Sequence, residues 1–282
     1  MNKIIVAIDF MESSINAFLH GLSIADKIKC DLLLVWVKKT AAEKEKFGEG
    51  KDPSKEVEKA FNELVEKYQP ELPDNKILFK IREGKVYKEI TAEAQASKAL
   101  MVLAGTHGAS GFEEFWIGSN ANKIVSASPC PVITFRSGIN ISRPLTRIVL
   151  PIDNAMETRQ KAPFTGYLAK KHDAEIIILK MYTSKVKDIR YNIDLYASQV
   201  AQYLEQEGNK CRMDGMDCDN ISDAMINFAK KVDANLISIM TSQESTTANL
   251  WLGPYAHQTV NHSPIPVLSI HPRETLTAGL GF

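Results

Sequence analysis

The stretch Gly105-Thr-His-Gly108 and, after nine further residues, Gly118-Ser119 decides the fold of this 282-residue chain. An apolar run, Ala99-Leu-Met-Val-Leu-Ala104, comes before it and predicts a buried strand, while the segment from Asn120 predicts a helix. A strand, a glycine-bearing loop and a helix start together predict an anion site. Glycine lets the backbone approach a phosphate, and the helix start offers unpaired N–H groups. Taken alone, the glycine spacing fits an ordinary strand-to-helix turn equally well.

The chain also repeats its own motifs. Lys3-Ile-Ile-Val-Ala-Ile-Asp9 returns 144 positions later as Arg147-Ile-Val-Leu-Pro-Ile-Asp153. Trp116-Ile-Gly118-Ser119 returns 135 positions later as Trp251-Leu-Gly253-Pro254, and Ser128-Pro-Cys-Pro-Val132 returns at the same spacing as Ser263-Pro-Ile-Pro-Val267. The second copy is therefore nine residues shorter somewhere between these motifs. Repeats of this length indicate two domains of one kind, 1–140 and 141–282, joined by a linker at 137–146.

Composition and charge exclude several function classes. The chain is 44% hydrophobic and 24% charged, which is typical of a soluble globular protein. Its 34 basic residues balance 34 acidic ones, so no nucleic-acid partner is expected. No apolar run reaches the roughly 18–20 residues of a membrane span. A first strand at Lys3 argues against a signal peptide, and the four cysteines form no C-x-x-C pair, so a cytoplasmic location is predicted.

Apolar runs alternate with amphipathic segments along both copies. Strands are predicted at 3–9, 31–37, 76–82, 99–104 and 131–136, and helices at 13–28, 54–69, 85–98 and 118–127, with Ser13 as an N-cap. In the second copy strands are predicted at 147–153, 174–181, 210–216, 235–240 and 266–270. Continuous Ile, Val and Leu runs indicate parallel strands buried on both faces. The fold class is therefore α/β, with two tandem doubly wound five-stranded parallel-sheet domains.

The order of these motifs resembles that of the universal stress protein family over nearly the whole chain. The residues that carry the resemblance are Ile5-Val-Ala-Ile-Asp9, Gly84 after the third strand, the Gly105 to Ser119 loop, and Pro129-Cys-Pro131-Val132. The glycine spacing is similar to that of the nucleotide-binding members. The resemblance implies a strand order of 3-2-1-4-5, ATP in the crevice where the order reverses, and pairing along the fifth strand. In a tandem chain that pair would form internally, as an intramolecular pseudo-dimer, and a homodimer is also possible.

The resemblance further implies which residues touch the nucleotide. Asp9 would contact the adenosine, with Ala7 on the same strand, and Val37 would flank the adenine. Ala104 and Gly105 would line the approach to the ribose and phosphates. The phosphates would be held by Gly108, Gly118, Ser119 and the N–H of Asn120, and Mg²⁺ would join through the phosphates. Each residue also has a structural alternative. Asp9 or Ser119 could cap a helix, Val37 could belong to the core, and Gly118 could serve packing at a helix start.

The second copy departs from this pattern. Alignment on Gly253 puts Met240 at the place of Gly105 and Gln243 at the place of Gly108, where both side chains would crowd a phosphate. Pro254 replaces Ser119 and removes a hydroxyl and a backbone donor. Asp153 is retained, but an acid without a phosphate cradle makes no nucleotide site. The second domain is therefore predicted to carry a degenerate loop.

Motifs for efficient catalysis are missing from the sequence. No G-x-x-x-x-G-K-[ST] or G-x-S-x-G pattern occurs, and His257 and His262 are five apart, which does not match a helical metal pair. The predicted function is therefore ATP binding with conformational signalling in a stress response, through an unidentified protein partner. The alternatives are an interaction scaffold that works without nucleotide, and a weak ATP hydrolase.

Overall fold

The computed structural model describes residues 3–38, 54–106, 119–136, 144–241 and 254–272. Its backbone divides into two compact units, Met1–Ile141 and Ser142–Phe282. Gly108, Gly118, Gln243, Gly253 and most of the predicted linker lie outside the described residues.

The first unit is a parallel sheet with helices between its strands. Its described strands are β1 (Lys3–Ala7), β2 (Asp31–Lys38), β3 (Ile77–Glu83), β4 (Met101–Gly105) and β5 (Val132–Phe135). Its described helices are α1 (Glu12–Ile28), α2 (Ser54–Tyr68), α3 (Val86–Ala96) and α4 (Ser119–Ala127). Neighbouring strands pair in parallel in the order β3-β2-β1-β4-β5. The predicted fold class and strand order are confirmed.

The second unit has the same topology. Its described strands are β6 (Arg147–Ile152), β7 (Glu175–Tyr182), β8 (Lys210–Asp217), β9 (Leu236–Met240) and β10 (Val267–Ile270). Its described helices are α5 (Ala162–His172), α6 (Lys187–Gln206), α7 (Ile221–Lys231) and α8 (Pro254–His262). The strand order β8-β7-β6-β9-β10 repeats that of the first unit, again with parallel pairs.

The nine-residue difference between the copies arises between their second strand and the helix that follows their third strand. β2 and β7 begin 144 positions apart, at Asp31 and Glu175, whereas α3 and α7 begin 135 apart, at Val86 and Ile221. In the first unit β2 ends at Lys38 and α2 begins at Ser54, but in the second unit only residues 183–186 separate β7 from α6. The connection that follows the second strand is thus much shorter in the second unit.

The predicted N-cap of α1 is wrong. The helix begins at Glu12, and the capping position is Met11, whose backbone is extended and whose side chain makes no capping hydrogen bond. Ser13 lies in the first helical turn and is buried. The sequence favoured Ser13 because hydroxyl residues are preferred N-caps, but this serine packs against the end of β4 instead.

The strand order places two strand ends side by side at the carboxyl edge of the first unit. Ala7, the last residue of β1, pairs with Ala104 of β4 on one side and with Val35 of β2 on the other. The β1, β2 and β4 runs are almost completely buried, as expected for a sheet covered on both faces. Ligands of such sheets bind where the strand order reverses, which here is between β1 and β4. Across the described ranges, no helix combines the length and the apolar character that a membrane crossing requires.

Candidate functional site

Asp9 follows β1 and organises the turn that leads into α1. Its Oδ1 accepts a hydrogen bond of 3.0 Å from the backbone N–H of Met11, and its own N–H donates to Ser14 Oγ at 3.2 Å. The Ser14 hydroxyl donates in turn to the Met11 carbonyl at 3.0 Å. Asp9 therefore stabilises the turn before the helix and not the first N–H groups of the helix itself. Within the described residues Oδ2 accepts no hydrogen bond from the protein, and Asp9 is only partly buried.

Gly105 ends β4 where the start of α1 comes closest to the sheet. A Cβ at this position would lie 2.5 Å from Ser13 Oγ, and 2.8 Å from both the carbonyl carbon of Ser13 and the backbone nitrogen of Ser14. Because two of these three atoms belong to the backbone, a side-chain rotation alone cannot make room. Glycine is thus required at 105 for helix–strand packing, whether or not a ligand binds beside it.

The remaining predicted residues divide between the core and the helix start. Val37 and Ala104 are buried in the sheet, at 8% and 1% exposure. The α4 helix begins at Ser119, with Asn120 exposed in its first turn. A helix start of this kind has unpaired N–H groups and a partial positive charge. The structure therefore brings Ala7, Asp9 and Gly105 to one sheet edge, while Gly108, Gly118 and the side chain of Ser119 lie outside its described part.

Two features near Asp9 could not be read, or were not expected, from the sequence motifs. Phe10 has a backbone φ of 63°, and its ring lies 5.0 Å from that of Phe61 in α2. No local sequence signal predicts this, because the contact joins residues far apart in the chain. Ser14 was detectable, since Thr158 stands at the same distance after Asp153 in the second copy. A hydroxyl repeated five positions after each aspartate indicated a shared turn.

The turn after Asp153 has the same hydrogen bonds as the turn after Asp9, but it is followed by a 3-10 turn and not directly by an α-helix. Asp153 N–H donates to Thr158 Oγ1 at 3.3 Å, and Asp153 Oδ1 accepts from the Ala155 N–H at 3.0 Å. A 3-10 turn, Met156–Lys161, then occupies the place where α1 begins in the first unit, and the α-helix starts only at Ala162. Met240, the register equivalent of Gly105, ends β9 beside this turn.

A buried ammonium group lies within the turn of the second unit. Lys161 is 2% exposed, and its Nζ donates to the carbonyl and hydroxyl oxygens of Thr158 at 2.7 and 3.0 Å. Burial lowers the pKa of Lys161 to about 8, against the opposing influence of the Asp153 carboxylate. The first unit has Ala17 at the equivalent position. The second unit thus buries an ammonium group at a position where the first unit has a methyl side chain.

Charged side chains also cover the end of β7, the counterpart of the strand end at Val37. The Arg190 guanidinium lies 3.9 Å from the centroid of the Tyr182 ring and forms an ion pair with Asp217. Asp194 accepts hydrogen bonds from Lys180 at 2.9 Å and from the Tyr182 hydroxyl at 2.5 Å. These hydrogen bonds, that of Tyr182 first, lower the pKa of Asp194. The end of β7 is thus occupied by a network of charged and aromatic side chains.

The described ranges contain no group of three or more His, Cys, Asp or Glu side chains placed to hold a metal ion. None of the four cysteines, all of which lie in the described ranges, forms a disulfide bond, and burial raises the pKa of the Cys30 thiol to about 11, with the Asp31 carboxylate contributing. A thiol of this kind is a poor nucleophile at neutral pH.

Comparisons with known proteins agree with this architecture. The model of the universal stress protein family matches residues 1–136 and again residues 144–271. A universal stress protein of Methanocaldococcus jannaschii is 24% identical over 143 residues, which cover 48% of this chain and 81% of that protein. The crystal structure of a universal stress protein from Archaeoglobus fulgidus has a TM-score of 0.76 at 17% identity, covering 96% of this chain and 98% of the other.

A protein of unknown function from Pseudomonas aeruginosa has the same fold. Its TM-score is 0.66 at 16% identity, with 99% of this chain and 95% of the other covered. At these identities the two structures bear on the fold alone, whereas the family model matches each of the two repeats separately. The chain therefore belongs to the universal stress protein family and contains two copies of its domain.

Proposed function

We propose that this protein binds one adenine nucleotide, ATP or a close analogue, at the carboxyl edge of the first sheet. The observation that carries the proposal is the adjacency of the β1 and β4 ends, which brings Asp9 and Gly105 to one edge. The open Oδ2 of Asp9 can accept a hydrogen bond from a ribose or a base. After β4 the chain leads to the start of α4, where N–H groups favour an anion.

The proposed role is signalling by binding in a stress response, in the cytoplasm and through a protein partner. Neither a P-loop nor a nucleophile elbow is present in the sequence, which argues against rapid turnover. Mg²⁺ would join through the phosphates of the nucleotide. An internal pseudo-dimer of the two units and a homodimer both stay predictions, and light scattering of the full chain tests the second.

A nucleotide-independent scaffold is the second candidate, and one observation favours it. The packing of Ser13 and Ser14 explains Gly105 without any ligand. Mass spectrometry of small molecules released on denaturing the purified protein, followed by calorimetric titration with ATP, separates the two functions. Released adenine nucleotide and saturable binding support the proposal. Absence of both supports the scaffold.

Gly108→Val tests whether the loop after β4 holds the phosphates. A valine would oppose close approach of a phosphate to the backbone and would resist a positive φ. We expect it to abolish ATP binding in calorimetry while the circular dichroism spectrum stays that of the wild type. Gln243→Val, at the aligned position of the second copy, is the control and should bind like the wild type. Unchanged affinity in a folded Gly108→Val protein would show that this loop does not hold the phosphates.

A further inference from the structure

Phe10, the residue directly after Asp9, has a backbone conformation that aromatic residues rarely adopt. Its φ of 63° is in the left-handed region, where a Cβ approaches the following carbonyl oxygen. The other four non-glycine residues with positive φ in the described ranges follow the ends of α1, α3, α5 and α7, where this conformation is common. Phe10 comes instead after a strand, so helix termination does not explain its conformation.

The second unit shows that the turn itself does not require this backbone. Asn154 stands at the position equivalent to Phe10, and asparagine tolerates positive φ better than phenylalanine does. Nevertheless Asn154 is absent from the described residues with positive φ. The hydrogen bonds of the flanking aspartate are the same in both units. The strain is therefore specific to the first unit and accompanies its aromatic side chain.

The Phe10 ring is the outer member of a row of three aromatic rings. It lies 5.0 Å from Phe61, at an interplanar angle of 53°, and Phe61 stacks on Phe79 of β3 at 4.9 Å and 13°. Phe61 is completely buried, while Phe10 is half-buried and keeps part of its surface exposed. Offset and tilted aromatic pairs of this kind stabilise a fixed ring position.

The strand order indicates on which side of β1 the Phe10 ring lies. Its neighbours belong to α2 and β3, and β3 and β2 lie on one side of β1, whereas β4 lies on the other. Phe10 therefore lies on the side of β1 that carries β2 and β3, the side to which Val37 also belongs. Gly105 and the connection to α4 lie on the β4 side. A ligand that spans β1 would meet an aromatic ring at one end and a helix start at the other.

We propose that Phe10 stacks on the aromatic base of the bound nucleotide and makes the first unit select nucleotides over polyphosphates without a base. The inference rests on the proposed function and adds its specificity-determining residue. Stacking on an aromatic side chain suits any heterocyclic base, and purines offer the larger surface. The strained backbone aims the ring, which is consistent with the tendency of such strain to occur at ligand sites.

Calorimetric titration of the full chain with ATP, and separately with inorganic tripolyphosphate, tests this inference. Phe10→Gly removes the ring and relieves the strain, since glycine adopts positive φ freely. We expect its affinity for ATP to fall about tenfold, equivalent to about 1.4 kcal/mol, and its affinity for tripolyphosphate to stay unchanged. Asn154→Gly, the equivalent change in the second unit, should bind both probes like the wild type.

Phe10→Leu keeps an apolar side chain but lacks the aromatic face. It is the variant to test if Phe10→Gly folds poorly. It should also lose ATP affinity, with a thermal midpoint close to that of the wild type. Equal or tighter ATP binding by either variant overturns the inference but leaves the proposed function intact. An equal loss for ATP and tripolyphosphate also overturns it, because the residue would then act through the fold. If the wild type binds no ATP, the proposed function fails and the inference with it.

Discussion

Asp9 and Asp153 make the same backbone hydrogen bonds, although only Asp9 lies in a unit with the full glycine pattern. At the scale of single residues, the aspartate at the strand end thus has a structural task in both units. Only an atom that is not already hydrogen-bonded within the turn can bind a ligand, and in Asp9 this atom is Oδ2. Gly105 likewise has a packing task that does not depend on a ligand. Loss of binding in a variant of either residue therefore needs a separate measurement of stability.

Gly105→Ala should destabilise the protein without any nucleotide present. The new Cβ would meet Ser13 and Ser14 at 2.5–2.8 Å, and backbone atoms must move to relieve the contact. We expect a loss of about 1–3 kcal/mol in the free energy of unfolding, measured by urea denaturation followed by circular dichroism. Gly215→Ala is the control, because its nearest neighbours are side-chain atoms of Tyr182 and Lys180 at 3.2–3.3 Å. Equal stability of the two variants would contradict the packing argument.

His20 should make the protein less stable in mild acid. Its ring stacks on Phe135 at 4.8 Å, and its buried Nε2 has no hydrogen-bond partner among the described residues. Burial lowers the pKa of His20 below its ordinary 6.5, so the unfolded chain takes up the proton first as the pH falls. The stabilising contribution is complete above about pH 6.5 and is lost below it.

Urea denaturation between pH 5 and pH 7.5 measures this loss. His20→Phe retains a ring against Phe135 but has no titratable group, so it serves as the comparison. We expect the free energy of unfolding of the wild type to fall more steeply on acidification than that of His20→Phe. Parallel curves for the two proteins would show that His20 contributes nothing to the pH dependence.

At the scale of helices and strands, the two units differ most where the first helix of each begins. In the first unit α1 starts at Glu12 and packs closely on Gly105. In the second unit a 3-10 turn comes first, beside Met240, and it encloses the ammonium group of Lys161. Short 3-10 segments are common at helix starts. Here the segment coincides with the replacement of the glycine by a residue with a long side chain.

Lys161 gives this turn a pH dependence of the same sense as that of His20, but at higher pH. Burial lowers its pKa to about 8 from 10.5, so between these values the unfolded chain holds the proton while the folded protein does not. Stability therefore rises with pH across this window. Relative to Lys161→Met, the wild type should gain about 2 kcal/mol between pH 7.5 and pH 9.5.

Urea denaturation at the two pH values tests the prediction for Lys161. Subtracting the free energy of unfolding of Lys161→Met from that of the wild type cancels the contributions of groups that titrate in both proteins. Lys185→Met, which changes an exposed lysine, is the control and should show no such relative gain. An equal response of wild type and Lys161→Met to pH would mean that Lys161 keeps its ordinary pKa.

The sequence predicted helices and strands well where long apolar or amphipathic runs mark them. It predicted local conformation poorly where contacts between residues far apart in the chain determine it. The ends of α1, α2 and α3 lie within two residues of their predicted positions, because amphipathic spacing is a local signal. The left-handed Phe10 and the buried Lys161 depend on packing against other elements, which no local pattern reveals. The strand order, which was correctly predicted, places the ends of β1 and β4 side by side, but the hydrogen bonds of Asp9 and the packing at Gly105 became evident only from the structure.

At the scale of the whole molecule, two units of one fold differ in what occupies the carboxyl edge of the sheet. The first unit has the open Oδ2 of Asp9, the half-buried Phe10 and a glycine at the end of β4. The second unit has a buried ammonium group, a long side chain at Met240, and an arginine stacked on Tyr182 at the end of β7. The two units therefore present different chemical groups at corresponding edges of the same fold.

This asymmetry predicts one nucleotide per chain, held by the first unit. Asp9→Asn and Asp153→Asn form a matched pair of variants, because an amide keeps the Oδ1 acceptor of the turn but removes the charge and replaces the Oδ2 acceptor with an NH2 donor. A hydrogen bond that involves a charge contributes about 1.5–3 kcal/mol, so Asp9→Asn should weaken ATP binding by roughly tenfold or more. Asp153→Asn should leave the affinity unchanged. Calorimetry on the full chain gives both the stoichiometry and the two affinities. Two equivalent sites per chain, or equal weakening by the two variants, would show that the second unit also binds and that its buried lysine and stacked arginine leave the crevice open.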